Sequence, residues 1–249
     1  MTTIPPPHPD PHAPTAFRPP PGACDAHCHV FGPADRFPFA ADRRYTPPDA
    51  GVDDLARLHA RLGLDRAVIV QATCHGTDNA ALLDALRQGD GRYAGVAMID
   101  EATTGAELDE LHEAGVRGTR VNFVAHLGGA PSAHAVERIV TRAADRGWHL
   151  DLHFDAADVA RYAPLLALLP CPYIIDHMGR VDATAGLDQE PFRALLGLLH
   201  RDERCWIKLS GAERLTAVGP PPYDDVVPFA HALIAAAPDR VLWGTDWPH

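Results

Sequence analysis

The chain has 249 residues, of which 46% are hydrophobic and 22% charged, an ordinary balance for a globular protein with a large core. Its formal net charge of -11 argues against broad binding to nucleic acid or anionic membranes, because such binding needs a basic surface. No stretch is long and apolar enough to span a membrane, and no basic and apolar leader opens the chain. Five cysteines without a C-x-x-C pair favour a reducing, cytoplasmic compartment.

The first segment, residues 1–22, is rich in proline and contains few large apolar side chains. Such a segment cannot bury enough surface to order itself, so we expect a disordered tail over 1–22. Residues 23–249 are predicted to form one domain. The chain stops directly after its last predicted strand, so we expect a barrel that is truncated there.

From residue 24 onward, short apolar strands alternate with amphipathic helices. The predicted strands cover 24–30, 66–71, 93–99, 116–123, 148–154, 173–177, 205–210 and 240–246. Seven predicted helices cover 52–62, 78–88, 105–114, 132–146, 156–168, 189–201 and 224–236. Alternation of this kind predicts parallel strands with right-handed crossovers, and eight such units predict an α/β fold, the TIM (β/α)8 barrel.

A long aromatic loop over 31–50 separates the first strand from the first helix. Loops of this length are typical of lids and binding loops. Tyr45 lies in it and either reaches a ligand or packs the loop onto the core; spacing alone leaves both readings open.

Two histidines and an acid carry the strongest chemical signal. His27 and His29 stand two positions apart on the first strand, so their side chains point to the same face. Asp246 ends the last apolar run, and His153 ends the fifth. In TIM barrels the catalytic groups gather at the carboxyl ends of the strands. Three imidazoles and a carboxylate suit one divalent metal with an open position, here zinc or manganese.

Further polar residues follow other strands. His177 ends the sixth strand and would polarise a carbonyl group or protonate a leaving group, while Asp246 accepts a proton from water. Arg120, Arg180 and Arg214 are candidates for an anion clamp, because guanidinium groups bind carboxylates through paired hydrogen bonds. Arg120 is the best candidate because it lies on the strand itself, and any one of the three, Arg214 above all, could instead tie down a loop through a salt bridge.

Several motifs in order carry a family resemblance: Asp-Ala-His-Cys-His-Val-Phe-Gly-Pro, Phe-Pro-Phe-Ala, Arg-Arg-Tyr-Thr-Pro, Asp-His-Met-Gly-Arg and Leu-Trp-Gly-Thr-Asp-Trp-Pro-His. From about residue 22 to the end, the chain resembles the amidohydrolase superfamily (amidohydrolase family 2). Within that superfamily it looks most like the group of 2-pyrone-4,6-dicarboxylate lactonase and related lactone hydrolases.

The resemblance implies a hydrolase that opens a cyclic ester in the breakdown of aromatic compounds. It implies that His27, His29 and His177 polarise the lactone carbonyl and that Asp246 activates water, without a metal. It further implies a set of residues around the carboxylates of the substrate. That set is Tyr45, Thr73, Arg120, Arg180 and Arg214.

Two positions depart from the pattern of the group. His153 stands where the group has a tyrosine, and a histidine there is typical of metal-dependent superfamily members. His126 stands where the group has a second arginine, which removes one fixed positive charge from the predicted substrate site. The departures favour a metal and a small anionic lactone with one anionic group fewer, and metal-independent catalysis stays open.

Two alternatives remain at this stage. One is a metal-dependent decarboxylase of a small unsaturated acid in the same superfamily, which would release carbon dioxide instead of consuming water. The other is a non-catalytic barrel that binds an acid, for which His177 and Asp246 would be dispensable. The sequence leaves the oligomeric state open.

Overall fold

The computed structural model describes residues 6–10, 17–219 and 221–248. Eight strands follow one another in chain order through one sheet. They are β1 (Cys24–Cys28), β2 (Arg66–Val70), β3 (Tyr93–Ala97), β4 (Val116–Asn122), β5 (His149–His153), β6 (Tyr173–Ile175), β7 (Cys205–Leu209) and β8 (Val241–Trp243). The pairs from β1 to β4 and from β5 to β8 are parallel. The predicted TIM-barrel fold is confirmed.

Helices connect these strands. They are α1 (Val52–Leu62), α2 (Ala80–Gly89), α3 (Gly105–Glu113), α4 (Ala133–Ala144), α5 (Val159–Ala167), α6 (Glu190–Arg201), α7 (Ala212–Leu215) and α8 (Val227–Ala236). The four-residue α7 was not predicted, because one helical turn is too short to show a period. The helix predicted from residue 224 begins at Val227, where Pro228 fits the first turn.

The chain forms two compact units, which are described separately. The first contains the residues up to Arg120 together with those from Gly244 onward, and the second contains Val121–Trp243. In the first unit, buried Ile69 and Val96 of the strands and Leu55 of α1 belong to the core. Burial of such side chains stabilises the fold by about 1.5–3 kcal/mol each.

In the second unit, the strands bury Leu150, Ile175 and Ile207. Helix α6 buries Phe192, whose ring lies 4.9 Å from that of Phe229 on α8 in an edge-to-face arrangement. The core of this unit therefore supports the ends of β5, β6 and β7, where predicted site residues lie.

The described part of the amino-terminal segment, 6–10 and 17–22, contains no helix or strand. Arg61 of α1 nevertheless forms an ion pair of 2.7 Å with Asp10. The rest of the predicted tail lies outside the described residues, so its disorder stays a prediction. Among the described residues, no helix has both the length and the apolar character needed to cross a bilayer.

Candidate active site

In the first unit, one buried acid lies against His27 of β1 and His29, which directly follows that strand. The Asp246 Oδ1 atom is 3.2 Å from His29 Nε2 and 3.5 Å from His27 Nε2. All three side chains are almost fully buried. The two imidazole rings lie 5.0 Å apart and nearly perpendicular, so both ring nitrogens face the carboxylate from different sides. We call these three residues the Asp246 group.

Hydrogen bonding fixes the orientation of His29. Its Nδ1 atom lies 2.8 Å from the carbonyl oxygen of Val70, which can only accept a hydrogen bond. The proton is therefore on Nδ1, and Nε2 faces Asp246 with either a second proton or a lone pair. With a lone pair on Nε2, that nitrogen and the Asp246 carboxylate are both acceptors. A cation between them, either a proton or a metal ion, would then stabilise the contact.

The position of Asp246 is set by β1. The sequence places this acid at the tip of β8, but β8 ends at Trp243 and Asp246 lies three residues beyond it. Its backbone N–H donates to the carbonyl of His27 over 2.8 Å, and the N–H of His29 donates to the carbonyl of Trp247 over 2.8 Å. Asp246 has a positive φ of 54°, which turns the chain at that residue. The acid is thus held beside the two histidines by a backbone ladder.

In the second unit, His177 follows β6 in a tight turn. The residues from His177 to Arg180 all have positive φ values, between 48° and 63°. The Nδ1 atom of His177 is 3.0 Å from the hydroxyl oxygen of Ser210, just after β7. Its ring lies 5.1 Å from that of His153, which ends β5. We call His153, His177 and Ser210 the His177 group.

Gly211 permits this arrangement. It has a φ of +71°, and a Cβ atom there would lie 3.0 Å from Nδ1 of His177. Glycine has no Cβ and adopts positive φ without strain, so it alone satisfies both conditions without a shift of neighbouring atoms. After β7, Ser210 therefore hydrogen-bonds His177, and Gly211 leaves the space that the imidazole ring occupies.

A buried ion network lies beneath His177 in the same unit. Lys208 of β7 is 1% exposed and pairs with Asp151 of β5 and with Asp176, 3.2 Å away. Burial alone would raise the pKa of Asp151, but the charge of Lys208 prevails and lowers that pKa. Lys208 lies in the strand predicted over 205–210, and no role was predicted for it. The structure shows it as the buried partner of two carboxylates.

The long loop over 31–50 packs onto the first unit. Phe39, Tyr45 and Trp247 lie against a buried cluster of Phe31, Ala50, Ala72 and Cys74. Tyr45 hydrogen-bonds Thr73, and Arg120 is close enough to act on it electrostatically. Burial raises the pKa of the Tyr45 hydroxyl, and Thr73 and Arg120 act against that rise. Three of the predicted substrate residues, Tyr45, Thr73 and Arg120, are thus neighbours, and Tyr45 also packs the loop down.

The remaining predicted substrate residues are neighbours in the second unit. Burial and the positive charge of Arg180 lower the pKa of His126, Asp155 opposes this, and Arg214 adds to it. Arg180 donates to Asp155 over 2.6 Å, and Arg214 pairs with Glu213 over 3.0 Å. Arg180 therefore makes a salt bridge between two loops, the alternative that the sequence left open, whereas Arg214 pairs with the residue beside it in α7. The region still carries two guanidinium groups beside one histidine.

The Asp246 group fits a divalent metal. The donor atoms of His27, His29 and Asp246 all lie within 4.8 Å of one another and are buried. Two imidazoles and a carboxylate are ligands that zinc accepts, and the bond from His29 to Val70 is the outer contact that orients a metal-binding histidine. His153 belongs to the second unit, so its predicted role as a fourth ligand stays a prediction.

Sequence reasoning missed three supporting residues. Ser210, which contacts His177, was given no role. Asp25 and Thr245 adjoin the Asp246 group and were given no role. The spacing Asp-x-His-x-His is a signal for Asp25, because it puts that acid on the same strand face as His27 and His29.

A TIM barrel with histidines and an acid at its strand ends is typical of one class of protein, the hydrolytic TIM barrels. Within that class the chain belongs to the amidohydrolase family, whose model matches residues 24–249. The predicted resemblance to this family is therefore confirmed.

Two relatives and one solved structure are particularly similar. The chain is 46% identical over 240 residues to a 2-pyrone-4,6-dicarboxylate hydrolase of Comamonas testosteroni, covering 94% of this chain and 79% of the relative. It is 44% identical over 238 residues to a 4-sulfomuconolactone hydrolase of Rhizobium radiobacter, covering 95% and 79%. The crystal structure of a probable 2-pyrone-4,6-dicarboxylic acid hydrolase from Acinetobacter baumannii, with citric acid bound, superposes with a TM-score of 0.78 at 27% identity, covering 92% and 85%.

Proposed function

We propose that the protein is a lactone hydrolase that opens a small carboxylated lactone by attack of water activated at Asp246. The observation that carries the proposal is the buried carboxylate of Asp246 within 3.5 Å of two imidazole nitrogens. The relatives support the substrate class, since a pyrone dicarboxylate and a muconolactone are both cyclic esters with acidic substituents.

Asp246 serves as the general base. It takes one proton from water as the water oxygen bonds to the lactone carbonyl carbon, and the ring C–O bond then breaks. The proton passes to the leaving oxygen, so water is consumed and one carboxylic acid is formed. His27 and His29 hold the carboxylate in place and stabilise negative charge that develops on the carbonyl oxygen.

His177 serves as a proton donor or polarising group in the same reaction. Its Nδ1 is engaged by Ser210, and Nε2 is the nitrogen that we propose acts on a substrate oxygen. This agrees with the role that the family resemblance implies for the residue.

Arginines supply the affinity for the acidic substituents. Arg120 is 6% exposed, so its charge acts in surroundings from which most water is excluded. Arg180 and Arg214 are partly engaged by Asp155 and Glu213, which leaves them weaker binders than Arg120. These arginines suit a small carboxylated lactone, and the histidine at position 126 favours one with fewer anionic groups than a dicarboxylate.

A divalent metal, zinc or manganese, would be held by His27, His29 and Asp246, with His153 as a candidate fourth ligand. Such an ion would lower the pKa of bound water toward ~7 and polarise the carbonyl. Elemental analysis of the purified protein, with turnover measured before and after chelation, tests this assignment. About one equivalent of metal with chelator-sensitive turnover supports it, and metal-free protein with full turnover contradicts it.

The proposed setting is the cytoplasm and the catabolism of aromatic compounds. All five cysteines are free thiols, which suits a reducing compartment. The relatives support the catabolic setting only through the chemistry of the substrates in their names.

The test of function is hydrolysis of 2-pyrone-4,6-dicarboxylate and of a sulfonated muconolactone, with an uncharged lactone for comparison. Asp246→Asn should lower kcat about 10²- to 10⁴-fold, the usual contribution of a general base. Asp54→Asn, which removes a carboxylate from the exposed cap of α1, is the matched control. Hydrolysis by Asp246→Asn at the wild-type rate would refute the role of the acid, and carbon dioxide among the products would favour the decarboxylase alternative.

A further inference from the structure

A second buried acid lies directly behind the Asp246 group. Asp25 of β1 is fully buried, and four hydrogen bonds converge on its carboxylate. Its Oδ1 accepts from the backbone N–H of His27 at 3.1 Å and from that of Thr245 at 3.0 Å. Its Oδ2 accepts from the Thr245 hydroxyl at 2.6 Å and lies 3.1 Å from Nε2 of His59.

These bonds saturate the carboxylate, which offers about four lone-pair sites. Because a carboxylate only accepts, His59 carries its proton on Nε2. Its Nδ1 atom is buried without a hydrogen-bond partner among the described residues. His59 is therefore directed entirely at Asp25 and fixes that side chain from the side of α1.

Two of the four groups bonded to Asp25 are backbone N–H groups of the segments that carry the candidate catalytic residues. One belongs to His27 itself, and the other belongs to Thr245, the residue immediately before Asp246. One carboxylate oxygen thus holds the two chain segments that present the histidine and the general base to each other. Gly244 shows how closely they approach: a Cβ atom there would lie 2.6 Å from the backbone nitrogen of His27.

We propose that Asp25, braced by His59 and Thr245, is a positioning residue that sets the distance between His27 and Asp246 for the reaction. The inference rests on the proposed function, in which Asp246 is the base. Asp25 does not touch the substrate; it acts through the backbone of β1 and of the segment after β8. An amide at this position would place a donor nitrogen against the Thr245 hydroxyl and His59, where the carboxylate oxygen now accepts.

Thr245 offers the gentlest perturbation. Thr245→Val keeps the shape of the side chain and removes the hydroxyl that donates to Asp25 over 2.6 Å, while Thr245→Ser restores the donor. A misplacement on the order of 1 Å costs roughly 100-fold in rate. We expect kcat of Thr245→Val to fall about 10- to 100-fold with KM nearly unchanged. We expect Thr245→Ser to recover most of the loss.

Thr119→Val is the matched control. Thr119 of β4 is fully buried and donates its hydroxyl to the carbonyl of Ala97 over 3.0 Å, so the same change removes a buried hydroxyl bond elsewhere in the first unit. It should lower the melting temperature like Thr245→Val but leave kcat within about twofold of wild type. Equal losses of kcat in the two valine variants, or no rescue by serine, would overturn the proposal.

Crystal structures of Thr245→Val and Asp25→Asn give a readout that needs no substrate. We expect the distance from His27 Nε2 to Asp246 Oδ1, 3.5 Å here, to lengthen in both variants. If wild-type protein hydrolyses none of the lactones but the distance lengthens, the proposed function fails and the positioning role stands. If the lactone is hydrolysed and the distance is unchanged in both variants, the positioning role fails alone.

Discussion

Removal of the buried lysine in the second unit should destabilise the protein strongly. In Lys208→Met the chain keeps its volume but loses the ammonium group that pairs with Asp151 and Asp176. Both carboxylates are fully buried, so each loses a partner in surroundings that water cannot reach. Loss of one partner from a buried ion pair costs about 3–5 kcal/mol.

The structure points to the lower end of that range. Nε2 of His149 lies 3.5 Å from the other oxygen of Asp151 and still offsets part of the negative charge. We therefore expect a loss of about 3 kcal/mol in the free energy of unfolding, from the range above. A chain of this length should then melt about 6 to 12 °C lower, at about 2–4 °C per kcal/mol.

The assay is urea unfolding at neutral pH, followed by circular dichroism, with the slope against denaturant compared between variants. Arg87→Met is the control, because Arg87 is 62% exposed and its 3.4 Å pair with Asp84 should contribute under about 1 kcal/mol. The double variant Lys208→Met with Asp151→Asn should be more stable than Lys208→Met alone, since it buries one charge fewer. A loss in Lys208→Met no larger than in Arg87→Met would refute this account of the network.

Three other predictions concern substrate binding, the turn behind His177 and acid stability. Arg120→Met should raise KM for a dicarboxylated lactone roughly 10- to 100-fold, since a hydrogen bond to a charged group contributes about 1.5–3 kcal/mol, and an equal rise for an uncharged lactone would contradict the clamp. Gly211→Ala should lose about 1–2 kcal/mol of stability and also lose activity. Gly63→Ala, with a φ of +76° and its nearest neighbour 3.7 Å away, should lose stability alone. Unfolding and steady-state kinetics of the two variants check this. The hydrogen bond from Arg204 lowers the pKa of Asp202. The stability that this carboxylate contributes is therefore complete above the unfolded pKa of about 3.9 and disappears as the pH falls through the lower folded pKa. In thermal unfolding, Asp202→Asn should be less stable than wild type near neutrality and equally stable at about pH 2.

The sequence predicts the fold well because each strand is a short apolar run between amphipathic helices. It also predicts that His27 and His29 lie together, since that follows from the two-residue period of a strand. Boundaries were less accurate where the chain departs from regular geometry. The strand predicted over 240–246 has only the three residues Val241–Trp243, because the following residues bond to β1 instead of continuing β8.

Partners that are distant in sequence could not be predicted. Lys208 and Asp151 are separated by 57 residues, and the Thr245 hydroxyl and Asp25 by 220. Nothing in local composition distinguishes a lysine that lines a substrate pocket from one that pairs with buried acids. Whether a metal is bound could not be predicted either, because the spacing of His27 and His29 suits a metal ion and a shared proton equally well.

The backbone ladder between β1 and the segment after β8 has a consequence for measurement. The amide hydrogens of His29 and Asp246 are both engaged in that ladder, so each can exchange with solvent only when the ladder opens. Their exchange rates therefore report how often the backbone bonds that hold Asp246 beside His27 and His29 open. These two amides make the integrity of the Asp246 group observable in the protein without a substrate.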